Sequence, residues 1–256
     1  MTVAVTPGEV MVAQAAREIQ DGERVFVGMR LPLIAFVVAK RTHAPNAVGL
    51  FELGVMRDAP APELLYTMGD PPNVAGAVWC ARTIDLMGLL QRGEIDAGFI
   101  GGAEIDRHGN LNTTAIGPDR THPATQLPGS GGGGDIASLA RRLIVIMSHD
   151  KRRFRERVDF VTSPGYGDGP GWRSRVGLPR GGPAVVITTL GVFRFVAAEA
   201  ILDSYHAHSS VEEIRTQTGW ALRVAANAAE TEPPSSEVLR IIREYDPHGF
   251  WTRRGE

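Results

Sequence analysis

The sequence has little cysteine, no long apolar run and almost no net charge. Cys80 is the only cysteine among 256 residues, so no disulfide can form within the chain and a reducing compartment is expected. No segment approaches the roughly 18–20 consecutive apolar residues that a membrane-spanning helix needs. The first residues also lack the pattern of a secretory signal. These absences predict a soluble protein of the cytoplasm, with no membrane partner.

The charge balance excludes another class of partner. The chain carries 27 Lys and Arg against 29 Asp and Glu, a formal net charge of −2. Proteins that bind nucleic acids usually show a basic excess or a basic face, so no nucleic-acid partner is expected. Hydrophobic residues make up 43% of the chain, which is enough for the core of one sizeable domain.

Strand-like and helix-like segments alternate along the first 150 residues. Thr6-Pro7-Gly8-Glu9 has the pattern of a capping box that begins a first helix. The patterns that follow predict strands at 24–28, 47–51, 97–100 and 143–147, and helices at 32–40, at 83–91 and at 137–142, where a short helix would end. Beyond residue 155, β-like runs at 158–162, 184–189, 192–196 and 201–206 precede a helix at 235–245. This order predicts a single α/β domain over residues 1–256, with a largely parallel open sheet, helices on both faces and a more antiparallel C-terminal portion.

A carboxylate follows one of the predicted strands. In Phe51-Glu52-Leu53-Gly54, Glu52 comes directly after the strand at 47–51, and open α/β sheets bind ligands at the carboxyl ends of their strands. A carboxylate can attack an activated carbonyl when water is excluded and the electrophile is held close. The spacing alone is also compatible with a structural role, in which Glu52 caps the loop or pairs with Arg57.

Glycines are concentrated just before a predicted helix. Five of the six residues Gly129, Ser130, Gly131, Gly132, Gly133 and Gly134 are glycine. Such a backbone can adopt positive φ and approach a ligand closely. The N–H groups at the start of the following helix could then stabilise an anion or a developing oxyanion. The loop lacks the Gly-Lys-Ser/Thr of a Walker A motif, and a flexible turn is the alternative interpretation.

A third segment follows the strand predicted at 97–100. It begins with Gly101, Gly102, Ala103 and Glu104. Glu104 and Asp106 could form a carboxylate pair for acid–base chemistry, but the pattern favours a role in shaping the loop. Asx-type hydrogen bonds are expected between Asp106 and Asn110, with Gly109 at positive φ.

Two weaker patterns concern charge and metal binding. The basic run at 151–157 could bind phosphates or an acidic partner, although such runs are more often solvated surfaces. His206 and His208 could point the same way from a strand, but no third ligand lies nearby in the sequence, so no metal site is expected.

Taken together and in this order, several segments resemble the β subunits of the family I coenzyme A-transferases, of which glutaconate CoA-transferase is a member. The matching segments are GMRLPLIAFVVAK at 28–40, Glu52-Leu53-Gly54, GGAEIDRHGNLNTT at 101–114, GSGGGGDIAS at 129–138, HDKRRF at 149–154 and VTSPGYGDGPG at 161–171. One departure is Leu53, where the family has a small or polar residue.

The resemblance implies a mechanism and a set of site residues. Glu52 falls at the position of the glutamate that attacks the acyl-CoA thioester and then carries CoA as a glutamyl thioester. The loop at 129–134 corresponds to the family's substrate and oxyanion loop. Further pocket residues implied are Gly28, Gly54, Gly101, Gly102, Ala103 and Glu104.

The resemblance also implies how the chain works with partners. An α-type CoA-transferase subunit is expected to complete the enzyme as a hetero-oligomer, with an acyl-CoA and a carboxylic acid as substrates and no bound cofactor. Two alternatives stay open at this point. One is a hydrolase or decarboxylase that acts on a CoA thioester with the same fold, and the other is a non-catalytic scaffolding subunit.

Overall fold

The computed structural model describes residues 4–178 and 180–253. The elements up to residue 100 are α1 (Pro7–Arg17), β1 (Arg24–Phe26), α2 (Leu31–Arg41), β2 (Val48–Phe51), β3 (Val55–Arg57), α3 (Pro71–Val74), β4 (Trp79–Cys80), α4 (Thr83–Arg92) and β5 (Ala97–Ile100). There follow β6 (Glu104–Ile105), β7 (Leu111–Asn112), β8 (Ala115–Ile116), β9 (Thr125–Gln126), α5 (Gly133–Leu139), β10 (Arg142–Met147), α6 (Trp172–Arg175), β11 (Pro183–Thr188), β12 (Gly191–Val196), β13 (Glu199–Tyr205), α7 (Val211–Thr216), β14 (Val224–Glu230) and α8 (Ser236–Tyr245).

These elements group into two compact units. The first unit contains the chain up to Phe99 together with the chain from Glu232 onward, and the second unit spans Ile100–Thr231. The organisation as a single domain over residues 1–256 stays a prediction. Among the described residues, no helix combines the length and the apolar character that crossing a membrane requires.

The first unit is built on buried parallel strands. β1 pairs in parallel with β5 on one side and with β2 on the other, and β3 and β4 continue antiparallel from β2. α1 begins at the predicted capping box, in which the Thr6 hydroxyl accepts from the Glu9 N–H and the Glu9 carboxylate accepts from the Thr6 N–H. In α2, every residue from Pro32 to Ala39 is buried, which explains why its sequence is apolar on all faces.

The second unit contains the expected antiparallel portion. β10 and β11 are parallel, β11, β12 and β13 form an antiparallel meander, and β14 pairs in parallel with β13. The α/β class and the shift toward antiparallel pairing after residue 155 are therefore confirmed.

Three local predictions were wrong or incomplete. The run at 158–162 is not a strand, because the Asp159 N–H donates to the Glu104 carboxylate instead of to a neighbouring strand. The helix expected to end at 142 begins at Gly133 and ends at Leu139, and Arg142 begins β10. The strands β3 and β14 were not predicted.

Candidate active site

Glu52 occupies the first position of the three-residue turn between β2 and β3. The two strands pair with Phe51 opposite Val55, and the Gly54 N–H donates to the Phe51 carbonyl at 2.9 Å. Glu52 is partly buried, whereas the neighbouring Leu53 is 56% exposed. The turn thus presents a carboxylate at the carboxyl end of a parallel strand, which is the position expected from the sequence.

Gly54 holds this turn in place. Its φ is +102°, and a Cβ at this position would lie 2.0 Å from the carbonyl oxygen of Ala81. The carbonyl of Gly54 in turn accepts from the Ala81 N–H at 2.8 Å. Only glycine permits this close approach of two backbones, so the conformation of the turn depends on Gly54.

Gly28 lies at the same edge of the first unit's sheet as Glu52. The β1–β2 register pairs Phe26 with Leu50, and each candidate residue lies two positions beyond this pair. A Cβ on Gly28 would lie 3.1 Å from the carbonyl oxygen of Phe99, so glycine allows the chain after β1 to pass close to β5.

In the second unit, the segment at 101–112 forms a tightly bonded loop around Glu104. Glu104 is 2% exposed, and its Oε2 accepts from the Asn112 side-chain amide at 2.7 Å and from the Asp159 N–H at 3.0 Å. Arg155 lies 3.8 Å from its Oε1. This carboxylate connects two loops, and its contacts support the structural interpretation.

Asp106 also shapes the loop. Its Oδ1 accepts from the N–H groups of His108 and Asn110, and the Asn110 amide donates to both of its oxygens. Burial raises the pKa of the Asp106 carboxyl, and the hydrogen bonds from Asn110 and His108 oppose that rise. The Asx-type turn and the positive φ of Gly109, +70°, are confirmed.

Gly101 and Gly102 begin this loop and permit close packing. A Cβ on Gly101 would lie 3.1 Å from the Ile146 carbonyl oxygen, and one on Gly102 would lie 3.0 Å from the Glu104 carbonyl oxygen. The Ala103 N–H donates to the Asn112 carbonyl. The role of these residues as a pocket wall stays a prediction.

The glycine-rich loop leads directly into α5. Gly129 and Gly131 have φ values of +98° and +47°, and the Gly129 N–H donates to the Thr113 carbonyl at 2.8 Å. Gly133 and Gly134 are already the first two residues of the helix. Within the second unit, the start of this helix lies against the segment at 158–162, since a Cβ on Gly134 would lie 3.4 Å from the carbonyl oxygen of Thr162.

Arg173 anchors the other end of α5, a role that no sequence signal indicated. Its buried guanidinium donates to the Ala137 and Ser138 carbonyls in the last turn of the helix. The same group donates to the carbonyls of Pro164, Gly165 and Arg180. Burial lowers the pKa of Arg173. The helix that follows the glycines is thus fixed to two other loops by a single cation.

Arg57 has a similar environment in the first unit. The sequence allows an ion pair between Arg57 and Glu52, but the Arg57 guanidinium donates instead to the carbonyls of Ala59, Pro60, Pro72, Asn73 and Ala75. Arginines that bond only to carbonyls leave no pattern of opposite charges in a sequence, which is why their structural importance could not be predicted.

The basic run and the histidine pair have structural contacts. Arg153 pairs with Asp150, Arg155 with Asp159, and Phe154 between them is buried. His206 interacts with the Thr231 hydroxyl and the Thr188 carbonyl, and burial lowers the pKa of its imidazole to about 4. In the described parts of the chain, no group of three or more His, Cys, Asp and Glu side chains could hold a metal ion.

Comparison with known proteins assigns the chain to a family. A profile described as Coenzyme A transferase matches residues 9–217. The chain is 39% identical to the B-type subunit of glutaconate CoA-transferase from Acidaminococcus fermentans, over 93% of this chain and 91% of that protein. It is 36% identical to the B-type subunit of 3-oxoadipate CoA-transferase from Pseudomonas knackmussii, over 94% and 93% of the two chains. The crystal structure of the Acidaminococcus fermentans glutaconate CoA-transferase superposes with a TM-score of 0.90 at 37% identity, covering 97% of each chain. The chain therefore belongs to the coenzyme A transferase family.

Proposed function

We propose that this chain is the β-type subunit of a heteromeric CoA-transferase, and that Glu52 is its nucleophile. The observation that carries the proposal is the position of Glu52 in a chain of this family. It is a partly buried carboxylate at the carboxyl end of β2, on a turn whose shape Gly54 maintains.

The proposed reaction transfers CoA through a glutamyl thioester. The Glu52 carboxylate attacks the thioester carbonyl of an acyl-CoA and expels CoA thiolate, which leaves an acyl-glutamyl anhydride. The thiolate then attacks the glutamyl carbonyl and releases the first carboxylic acid. A second carboxylate attacks the glutamyl-CoA, and the thiolate it expels attacks the new acyl carbonyl, which regenerates Glu52. The side chain supplies the nucleophile and the thioester supplies the activated carbonyl, so the reaction needs no bound cofactor.

The negative charge that develops on the carbonyl oxygen in each addition step requires hydrogen-bond donors. We propose the loop at 129–134 for this role, through backbone N–H groups other than those of Gly129 and Gly133, which donate to the carbonyls of Thr113 and Ser130. Two features support it, namely the positive φ of Gly129 and Gly131 and the anchoring of α5 by Arg173. Gly28, Gly54, Gly101, Gly102, Ala103 and Glu104 complete the proposed set of pocket residues.

The two relatives suggest the substrate class and the partner. They are named for glutaconate and 3-oxoadipate, both dicarboxylic acids, and each is named as one subunit of its enzyme, of the B type. We propose a dicarboxylic acyl group for this enzyme as well, and an α-type subunit as the partner in a hetero-oligomer. With one cysteine and a net charge of −2, the proposed setting is the cytoplasm, without nucleic-acid or membrane partners.

The test uses the chain in complex with its α-type partner. Incubation with acyl-CoA alone should leave a CoA adduct on the peptide that contains Glu52, detected by mass spectrometry. Glu52→Gln should abolish both the adduct and turnover, whereas Glu9→Gln, a matched change at the buried carboxylate of the α1 capping box, should still form the adduct.

Two results would contradict the proposal. Release of free acid with oxygen from labelled water, without an acceptor acid, would indicate a hydrolase. Full activity of the Glu52→Gln complex would indicate a non-catalytic subunit.

A further inference from the structure

Arg30 has a backbone conformation that residues with a side chain rarely adopt. It follows β1 by four positions, directly precedes α2, and has φ +71° and ψ −121°. In the described part of the chain, the other residues besides glycine with positive φ are Ala197 and Ala198. Those two form the two-residue turn between β12 and β13, where hairpin geometry requires positive φ. Arg30 lies in no hairpin, so its strained backbone has no such explanation.

The Arg30 side chain is positioned against an aromatic ring. The residue is exposed, and its guanidinium carbon lies 5.6 Å from the centroid of the Trp251 ring. Trp251 is itself fixed, because its indole N–H donates to the Leu65 carbonyl at 2.9 Å and its backbone N–H donates to the Asp246 carboxylate at 3.0 Å. Within residues 4–178 and 180–253, no carboxylate or carbonyl accepts a hydrogen bond from the Arg30 guanidinium. The five N–H donors of this cation therefore face no protein acceptor in the described structure.

Arg30 and Glu52 lie at the same edge of the first unit's sheet. Because β1 and β2 are parallel and Phe26 is opposite Leu50, both residues follow the carboxyl ends of adjacent strands. A loop at 65–70 also connects them through contacts. At one end of this loop, the Leu65 carbonyl accepts a hydrogen bond from Trp251, the ring that lies under Arg30. At the other end, Gly69 packs against Leu53, the neighbour of Glu52, since a Cβ on Gly69 would lie 3.1 Å from Leu53 Cδ1.

We propose that Arg30 is the residue that selects dicarboxylic substrates by binding the carboxylate remote from the reacting carbonyl. This inference rests on the proposed role of Glu52. A guanidinium binds a carboxylate through two parallel N–H···O bonds, and stacking on a fixed ring orders it in advance of binding. The exposed side chain of Leu53 supplies an apolar surface for the methylene groups between the two carboxyls. This ligand-binding role explains why an arginine occupies position 30, where the positive φ would suit glycine better, since strained conformations cluster at binding sites.

The experiment measures discrimination by the complex with its α-type partner. Succinyl-, glutaryl- and adipyl-CoA are compared with butyryl-, valeryl- and hexanoyl-CoA, which have the same chain lengths but lack the remote carboxylate. The rate of adduct formation on Glu52 is followed as a function of thioester concentration. The wild-type complex should favour the dicarboxylic series. Arg30→Gly should reduce that preference at least tenfold, and Arg30→Lys should reduce it less.

Two further measurements separate the binding role from a structural one. Arg30→Gly should melt at the same temperature as wild type or higher, because glycine adopts this φ without strain. Binding of glutarate and of valerate, measured by calorimetry, requires no chemistry at Glu52. Glutarate affinity should fall in Arg30→Gly, while valerate affinity should not change.

The inference is overturned if the wild-type complex has no preference for the dicarboxylic series, or if Arg30→Gly retains that preference. It is also overturned if Arg30→Gly slows both series equally and this loss disappears with thioesters of 3′-dephospho-CoA, since Arg30 would then bind a CoA phosphate. If the wild-type complex forms the Glu52 adduct but Arg30→Gly discriminates between the two series as wild type does, only the role of Arg30 is rejected and the proposed function stands. Glutarate binding that depends on Arg30, with no adduct in wild type, would reject the proposed function alone.

Discussion

The imidazole of His149 stacks on the phenyl ring of Phe154, with centroids 3.6 Å apart and planes inclined by 6°. Both side chains are buried in the second unit, and the His149 Nε2 lies 3.2 Å from the Thr218 hydroxyl. Burial lowers the pKa of this imidazole to about 3. His149 is therefore neutral in the folded protein at every pH at which the enzyme is expected to work.

This depressed pKa makes stability depend on pH. Below about pH 6.5 the unfolded chain binds a proton at His149 that the folded chain does not, so stability falls as the pH is lowered toward 3. The contribution lost between pH 6.5 and pH 5 is about 2 kcal/mol. His149→Phe retains the stacking and removes the titration, so we expect a smaller loss of unfolding free energy over this range in urea titrations. The control is His122→Phe, at an exposed histidine, which should keep the wild-type dependence of unfolding free energy on pH. If His149→Phe also keeps that dependence, His149 is not the group responsible.

Gly54 provides a test of the turn that carries Glu52. In Gly54→Ala, the new Cβ would meet the Ala81 carbonyl at 2.0 Å and the residue would retain a positive φ. We expect a loss of about 2 kcal/mol or more in stability and at least a tenfold slower formation of the Glu52 adduct. The matched control is Gly22→Ala, which has a similar φ of +77° but open space around its Cβ. It should lose about 1 kcal/mol and keep the wild-type rate, and equal rates in both variants would contradict the prediction.

Arg173 provides a test of how α5 is anchored. Arg173→Met removes the donors to five carbonyls while retaining most of the side-chain volume, and we expect a loss of about 3 kcal/mol. Hydrogen exchange should increase at residues 133–140, because the last turn of α5 loses its partner. Arg175→Met, at an exposed ion pair with Asp168, should cost less than about 1 kcal/mol. Unchanged exchange at 133–140 in Arg173→Met would show that the anchor is dispensable.

Glu104 and Glu52 should respond differently to the same substitution. Glu104→Gln removes the charge near Arg155 and disturbs the bonds from Asn112 and Asp159, so a loss of about 1–2 kcal/mol in stability is expected. Glu52→Gln should leave the melting temperature close to that of wild type, since its side chain is only partly buried. Chemical denaturation of both variants compares these effects, and a destabilised Glu52→Gln would argue that this carboxylate supports the fold.

Much of this protein could be predicted because the responsible interactions are local. The capping box at Thr6 and Glu9, the buried run of α2, the strand at 97–100 and the Asx turn after Asp106 all depend on residues within a few positions of each other. The position of Glu52 after a strand belongs to the same class, because the strand pattern at 47–51 and the glycine at 54 are visible in the chain itself.

Other features depend on tertiary contacts and could not be predicted. β14 contains the run AANAA, which has little preference for strand, and it becomes a strand by pairing with β13. The run at 158–162 has the composition of a strand, yet its Asp159 N–H donates to the Glu104 carboxylate instead of to a neighbouring strand. The contact between Arg30 and Trp251 and the hydrogen bonds from Arg173 to the carbonyls of α5 join residues that are far apart in sequence. The sequence alone determined local features such as the capping box, the buried run of α2 and the carboxylate that follows a strand, because those depend on neighbouring residues. Only the tertiary structure decided which cations are anchored, as Arg173 is, and which of them, like Arg30, face no protein acceptor in the described residues, because those contacts exist only after distant segments have packed together.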